Sequence, residues 1–157
     1  VVYCKDSKRM GTHEHVTFDF LGYTFRPRRI VDRRGWVRTG FTPAVSRQAM
    51  KAMRQSMRRW RLPLRSELSL DDLARMTARR VRGWIAYYCR FRGSEFQPVA
   101  DHLDRIIIRW AMRKYKRLRG HKTRAFAWLD RVKRRHPGLF VHWSGRGGFS
   151  VEAMGAR

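Results

Sequence analysis

"SLDDLARMTARRVRGWIAYYCRF", Ser69 to Phe91, decides the fold. Leu70, Leu73, Ala74, Val81, Trp84, Ile85 and Tyr88 follow one stripe, the period of a helix with a single apolar face. Ser69 followed by Asp72 has the spacing of a capping box. Asp71 and Asp72 fall in the first turn, where negative charge suits the helix dipole. The stretch therefore predicts one helix from Ser69 to about Phe91, with Arg75, Arg79 and Arg82 on its cationic side.

The same spacing recurs on both sides of it. Ser46 can cap a first helix whose face is marked by Met50, Met53, Met57 and Trp60, and Leu62-Pro63 stops it. A third helix is predicted from about Pro98 to Leu118, carrying Val99, Leu103, Ile106, Ile107 and Trp110. A shorter fourth holds Phe126, Trp128, Leu129 and Val132, and ends at His136-Pro137-Gly138. Trp60, Trp84, Tyr88, Ile107, Trp110 and Trp128 are the expected core-packing residues; Trp36 is the better candidate for base stacking. From Ser144 on, a glycine-rich tail is expected to be loose.

Ahead of the helices the pattern changes. "FDFLGYTFRPRR", Phe18 to Arg29, predicts a strand over Phe18–Phe25, with a bulge or close approach at Gly22 and an end at Arg26-Pro27. Asp32-Arg33-Arg34-Gly35 reads as a turn, and Trp36–Phe41 as the returning strand, closed by Thr42-Pro43. Val1–Cys4 is a candidate third strand. The expected fold class is mainly α: a three- to four-helix bundle preceded by an antiparallel β-hairpin. The expected divisions are residues 1–42 (hairpin), 43–136 (bundle) and 137–157 (a partly flexible extension).

Charge points to the partner. The 157 residues hold 37 Lys and Arg against 12 Asp and Glu, a net charge of +25. A hydrophobic fraction of 43% supplies a core, yet repulsion on that scale calls for a polyanion. No apolar run approaches the roughly 18 residues of a membrane span. Between Arg105 and Arg124 there are nine basic residues and no acidic one. The expected RNA-binding residues are Arg26, Arg28, Arg29, Arg33, Arg34, Arg58, Arg79, Arg82, Arg105, Arg109, Arg113, Lys114, Lys116 and Arg117. Arginine outweighs lysine, and its planar fork grips phosphate in two places. Asparagine is absent and glutamine is limited to Gln48, Gln55 and Gln97, so base-reading side chains typical of a DNA recognition helix are scarce. A broad cationic surface suits the shape of folded RNA.

Chemistry is not expected of this chain. Its carboxylates are scattered apart from Asp71-Asp72, and His13-Glu14-His15 has no evident third ligand. No metal site, cofactor or catalytic residue is assigned. Cys4 and Cys89, far apart in sequence, suit a reduced intracellular protein, and the first residue, Val1, suits a fragment of a longer one.

The order of blocks resembles a known family. "VVYCKDSKR" followed by "FDFLGYTFRPRR" resembles the end of the reverse-transcriptase domain in bacterial group II intron-encoded proteins. "DLARMTARRVRGWIAYYCRF" resembles the maturase-specific domain that follows it, also called domain X or the thumb, and the likeness extends through "RWAMRKYKRL" and "WLDRVKRRHPGLFVHW". The resemblance implies that Phe18–Phe41 completes the palm and that three main helices form the thumb. It implies three partners: group II intron RNA during splicing, the RNA/DNA template–primer duplex during reverse transcription, and the upstream palm and fingers. It also implies a cytoplasmic setting, associated with the nucleoid or a ribonucleoprotein. The polymerase carboxylates and their Mg2+ would lie upstream, so the chain is expected to be a non-catalytic part of an RNA-directed DNA polymerase, poorly soluble when isolated. Arg82, Gly83, Trp84, Tyr87 and Tyr88 match the thumb motif: Trp84 and one tyrosine packed inside, Gly83 allowing close helix approach, Arg82 left for RNA. Thr77-Ala78 stands where relatives often have Asn-Pro, and Cys89 where they often have glycine. The competing reading is an independent basic DNA-binding helical module of a mobile element. A decayed remnant without a present role is the third.

Overall fold

The structure, a computed structural model, describes residues 2–8, 11–31 and 34–144. Strands β1 (Phe18–Phe20), β2 (Tyr23–Val31) and β3 (Val37–Val45) form an antiparallel sheet in that order. Helices α1 (Arg47–Arg59), α2 (Leu70–Arg92), α3 (Gln97–Lys114) and α4 (Lys122–Arg135) follow. Single 3-10 turns occupy Leu62–Leu64, Gly93–Phe96, Lys116–Leu118 and Val141–Trp143.

The predicted hairpin is a three-stranded sheet, and the cause lies in Leu21 and Gly22. Both have positive φ, 49° and 80°, the pair that a two-residue hairpin turn requires. The chain reverses there, so Phe18 faces Phe25 and Phe20 faces Tyr23. Nor do the prolines end the strands: Pro27 stays in β2 opposite Phe41, and Pro43 in β3 opposite Phe25. β1 covers β2 only as far as Phe25 and β3 has one neighbour, leaving edges on which a missing N–H is tolerated. Val2–Cys4 forms no strand, although the Tyr3 N–H donates to the His15 carbonyl at 2.9 Å. In the expected turn after β2, Gly35 has φ 81°, while Asp32 and Arg33 lie outside the described residues.

The turn at Leu21-Gly22 is pinned by α2. Tyr87 Oη donates to the Leu21 carbonyl at 3.0 Å, and Tyr23 Oη donates back to the Tyr87 carbonyl. The Ser46 N–H closes on the Gly22 carbonyl at 2.8 Å. Burial and neighbouring phenols raise the Tyr23 pKa, and the same two causes raise that of Tyr88, so both remain neutral. A Cβ on Gly22 would come within 2.9 Å of Tyr88 Oη, so glycine's lack of one is used here. The close approach expected at Gly83 is not made: that glycine is exposed, and a Cβ would meet nothing within 4 Å.

Both predicted caps form. Ser46 Oγ accepts from the Ala49 N–H at 3.1 Å. At α2, Ser69 Oγ accepts from the Asp72 N–H while Asp72 accepts from the Ser69 N–H at 2.9 Å. Those bonds from Ser69, with Arg75 adding its charge, lower the Asp72 pKa to about 2. The third helix stops at Lys114, short of Leu118, because Tyr115 turns extended (φ −102°, ψ 114°). The 3-10 turn that follows then buries Leu118. Trp110 and Ile107 are wholly buried, whereas Trp84, Trp128 and Tyr88 are half-buried. Trp60 is half-buried too, stacked on Trp84 at 5.7 Å. Thr77 is buried, its hydroxyl donating to the Leu73 carbonyl at 2.9 Å. Cys89 is buried, which pushes its thiol pKa up to about 12.

Phe140 and Trp143 join the core after α4. They are fastened through Asp104 of α3, which accepts from Trp143 Nε1 at 2.8 Å, lies 3.0 Å from His142 Nε2, and pairs with Lys133. Burial alone would raise the Asp104 pKa, but these donors outweigh it and hold the carboxyl below its usual range. The tail expected to be loose lies, past Ser144, outside the described residues.

Candidate nucleic-acid interface

Apolar stripes on α1 and α3 face each other across the core, so the cations offset from those stripes meet at its rim. α1 packs against α3, and His102 marks the meeting place. Arg54 and Arg58 approach it from α1, Arg105 and Arg109 from its own helix. Burial first, then the fields of these four guanidiniums, hold the His102 pKa below the ordinary histidine value. Its Nε2 is buried and finds no hydrogen-bond partner among the described residues. Nor, among the described residues, does any of the four arginines form an ion pair there; the pairs seen involve Arg28, Arg75, Arg92, Lys133 and His142. Arg105 does border a narrow cleft of about 190 Å³ that also contains Asp101 and Asp104. Like charges gathered around a neutral imidazole repel one another until an anion enters. Phosphate oxygens match the guanidinium fork.

Most of the predicted cations stand exposed: Arg26, Arg29, Arg34, Arg58, Arg79, Arg82, Arg105, Arg109, Arg113, Lys116 and Arg117. Two are drawn inward. Arg28 is buried, donating to the Thr24 carbonyl at 3.1 Å and to that of Thr42, with Glu95 3.8 Å away. Its place on the inner face of β2, beside the Gly93–Phe96 turn, makes it a strut between sheet and helices. Lys114 is half-buried: Nζ donates to the Ser66 and Leu68 carbonyls at 2.9 and 2.6 Å and sits 5.4 Å from the Trp110 ring. It ties down the loop before α2. Arg33 lies outside the described residues. Arg113 and Arg119 border a second cleft, of about 530 Å³, with Pro63 and Leu64. Arg79 and Arg82 are not joined to the α1–α3 cluster by any hydrogen bond or ion pair among the described residues. Trp36, the candidate for base stacking, is 68% exposed.

Residues 50–128 match the family model for the group II intron, maturase-specific domain, just over half of the chain. The chain belongs to that family. No curated protein and no solved structure shows significant similarity to it. In this maturase-specific domain the matched span runs from the first turns of α1 into α4, and so includes His102 with all four of its arginines. The sheet lies outside it.

Two of the five residues at this cluster, Arg54 and His102, were missing from the expected set. His102, Arg105 and Arg109 stand at i, i+3 and i+7, a spacing that places them on one helical face. That half of the cluster is legible in sequence. The other half comes from a helix some fifty residues earlier, and only packing brings it in.

Proposed function

We propose that this maturase-specific domain is an RNA-binding thumb, acting by cationic clamping with no chemistry of its own. Family membership ties the chain to group II intron splicing. Within that frame, the thumb grips intron RNA during splicing and the template–primer duplex during reverse transcription, as part of a bacterial intron-encoded reverse transcriptase. The observation that carries the reading is that the charges of Arg54, Arg58, Arg105 and Arg109, from α1 and α3, bear together on His102 with no ion-paired carboxylate among the described residues. Phe20, Leu21, Val31 and Val37 are 54–68% exposed on the sheet, which supports an upstream palm as the partner that covers it. Mg2+ belongs, on this reading, to the polymerase site of that palm. No described helix is long and apolar enough to cross a membrane.

The test is competition binding at fixed salt. A structured group II intron RNA is expected to displace duplex DNA of equal phosphate number, and Arg58→Glu with Arg109→Glu to weaken RNA binding by roughly tenfold or more. Preference for duplex DNA, or an unchanged affinity in the double variant, overturns the proposal.

A further inference from the structure

Where α3 gives way to the Lys116–Leu118 turn, the surface opens into a cleft of about 550 Å³ against α4. Tyr115, Arg117, Leu118, Arg124, Trp128 and Arg131 line it. Arg124, Trp128 and Arg131 stand at i, i+4 and i+7, one face of α4. An indole is thereby set between two guanidiniums of its own helix, and Arg117 adds a third from the turn. Tyr115 and Trp128 meet at 5.7 Å with their planes 52° apart, an angled wall rather than a closed stack. Behind Tyr115, the buried Trp110 ring packs edge-on at 5.8 Å and fixes the phenol from the core side. No carboxylate lines the cleft, and its three arginines have no hydrogen-bond or ion-pair partner among the described residues.

Such a lining selects a ligand that is flat and apolar in one part and anionic on either side of it. The volume falls in the range of roughly 300–1,000 Å³ typical of small-molecule sites, ample for a single base. An unpaired nucleotide within a strand has this make-up, since every base offers a π face and carries a phosphate on each side. A base inside a duplex is stacked above and below and has no face to offer. The geometry points to a site for one unpaired nucleotide of single-stranded RNA, its base against Trp128 and Tyr115 and its flanking phosphates on Arg117, Arg124 and Arg131. This rests on the RNA-binding reading above, and adds a place where the domain distinguishes unpaired from paired RNA. The α1–α3 cluster, which offers no indole or phenol ring, makes no such distinction.

The experiment compares a labelled single-stranded RNA hexamer with a blunt RNA duplex of equal phosphate number, by fluorescence anisotropy on the intact chain. Trp128→Leu is expected to weaken hexamer binding roughly tenfold and leave duplex binding unchanged, with Trp128→Phe restoring most of the loss. Circular dichroism melting verifies the fold of each variant. Should Trp128→Leu fail to fold, Arg124→Gln with Arg131→Gln keeps the rings and tests the phosphate half, again with a loss specific to the hexamer. In the wild-type chain, a hexamer carrying 5-iodouridine is expected to photocrosslink to the peptide containing Tyr115 or Trp128. Equal losses on both RNAs, no loss on the hexamer, or crosslinks elsewhere overturn the site while leaving the cationic clamp standing. A wild-type chain that binds neither RNA removes both.

Discussion

His102 shows how much of the behaviour of this domain is settled by a single side chain. Its imidazole is held below the usual histidine pKa, first by burial and then by the fields of Arg54, Arg109, Arg58 and Arg105. The folded free chain resists a proton that the unfolded chain accepts near a pH of about 6.5. Stability is therefore complete above that pH and declines as pH falls from there towards the depressed folded value. A phosphate among the arginines reverses the field, raises the histidine pKa and makes binding take up a proton. RNA affinity is expected to rise as pH falls from about 7.5 to 6, by at most about tenfold for each pKa unit separating free from bound His102. His102→Gln is expected to flatten that rise, read as the slope of log Kd against pH. A slope unchanged in the variant removes His102 from the interface. The sequence displayed Arg105 and Arg109 at once through their spacing, but not the inward turn of Arg28. A buried guanidinium depends on three backbone carbonyl and carboxylate partners supplied by β2, β3 and the Gly93–Phe96 turn, and no local pattern announces it.

At the level of elements, the helices were legible and the sheet only in part: the β2–β3 hairpin was read, β1 was not. Capping at Ser46 and Ser69 and the apolar stripes set the starts of α1 and α2 to within a residue of the prediction. Both signals are local. β1 escaped because a leucine at positive φ leaves no turn signature, and the docking of Tyr87 on its carbonyl holds it there. The two motifs that resemble the palm end and the thumb thus form one joint: the Phe-Leu-Gly-Tyr turn seats against the Tyr87-Tyr88 pair. The two glycines of those motifs should then respond in opposite directions. Gly83→Ala places a methyl group in open space on a helix and is expected to stabilise by about 1 kcal/mol. Gly22→Ala combines a left-handed φ with a contact to Tyr88 Oη and is expected to destabilise by about 1–2 kcal/mol or more. Urea denaturation midpoints measure both. A destabilising Gly83→Ala would restore the packing role that the family resemblance implies.

For the whole molecule, the same cations set stability and binding against each other. A net charge of +25 on 157 residues means that the free fold works against its own field. Added salt screens that repulsion, and it equally screens the attraction to RNA. The melting temperature of the free chain is therefore expected to rise between about 50 and 300 mM salt. Over the same interval, RNA affinity is expected to fall steeply, by about 10³–10⁵ between 50 and 200 mM if about 6–10 phosphates are engaged. RNA at about a hundred times its Kd contributes about 2.7 kcal/mol of stability at low salt, worth roughly 5–10 °C in a chain of this size. The melting curves with and without RNA should accordingly approach one another as salt rises, the lower climbing and the upper losing its ligand. Differential scanning fluorimetry across a salt series reads both at once. A free chain whose melting temperature falls with salt over that range would mean that its cations are already compensated within the fold. An uncompensated cationic surface, on which both the clamp and the nucleotide site rest, would then be lost.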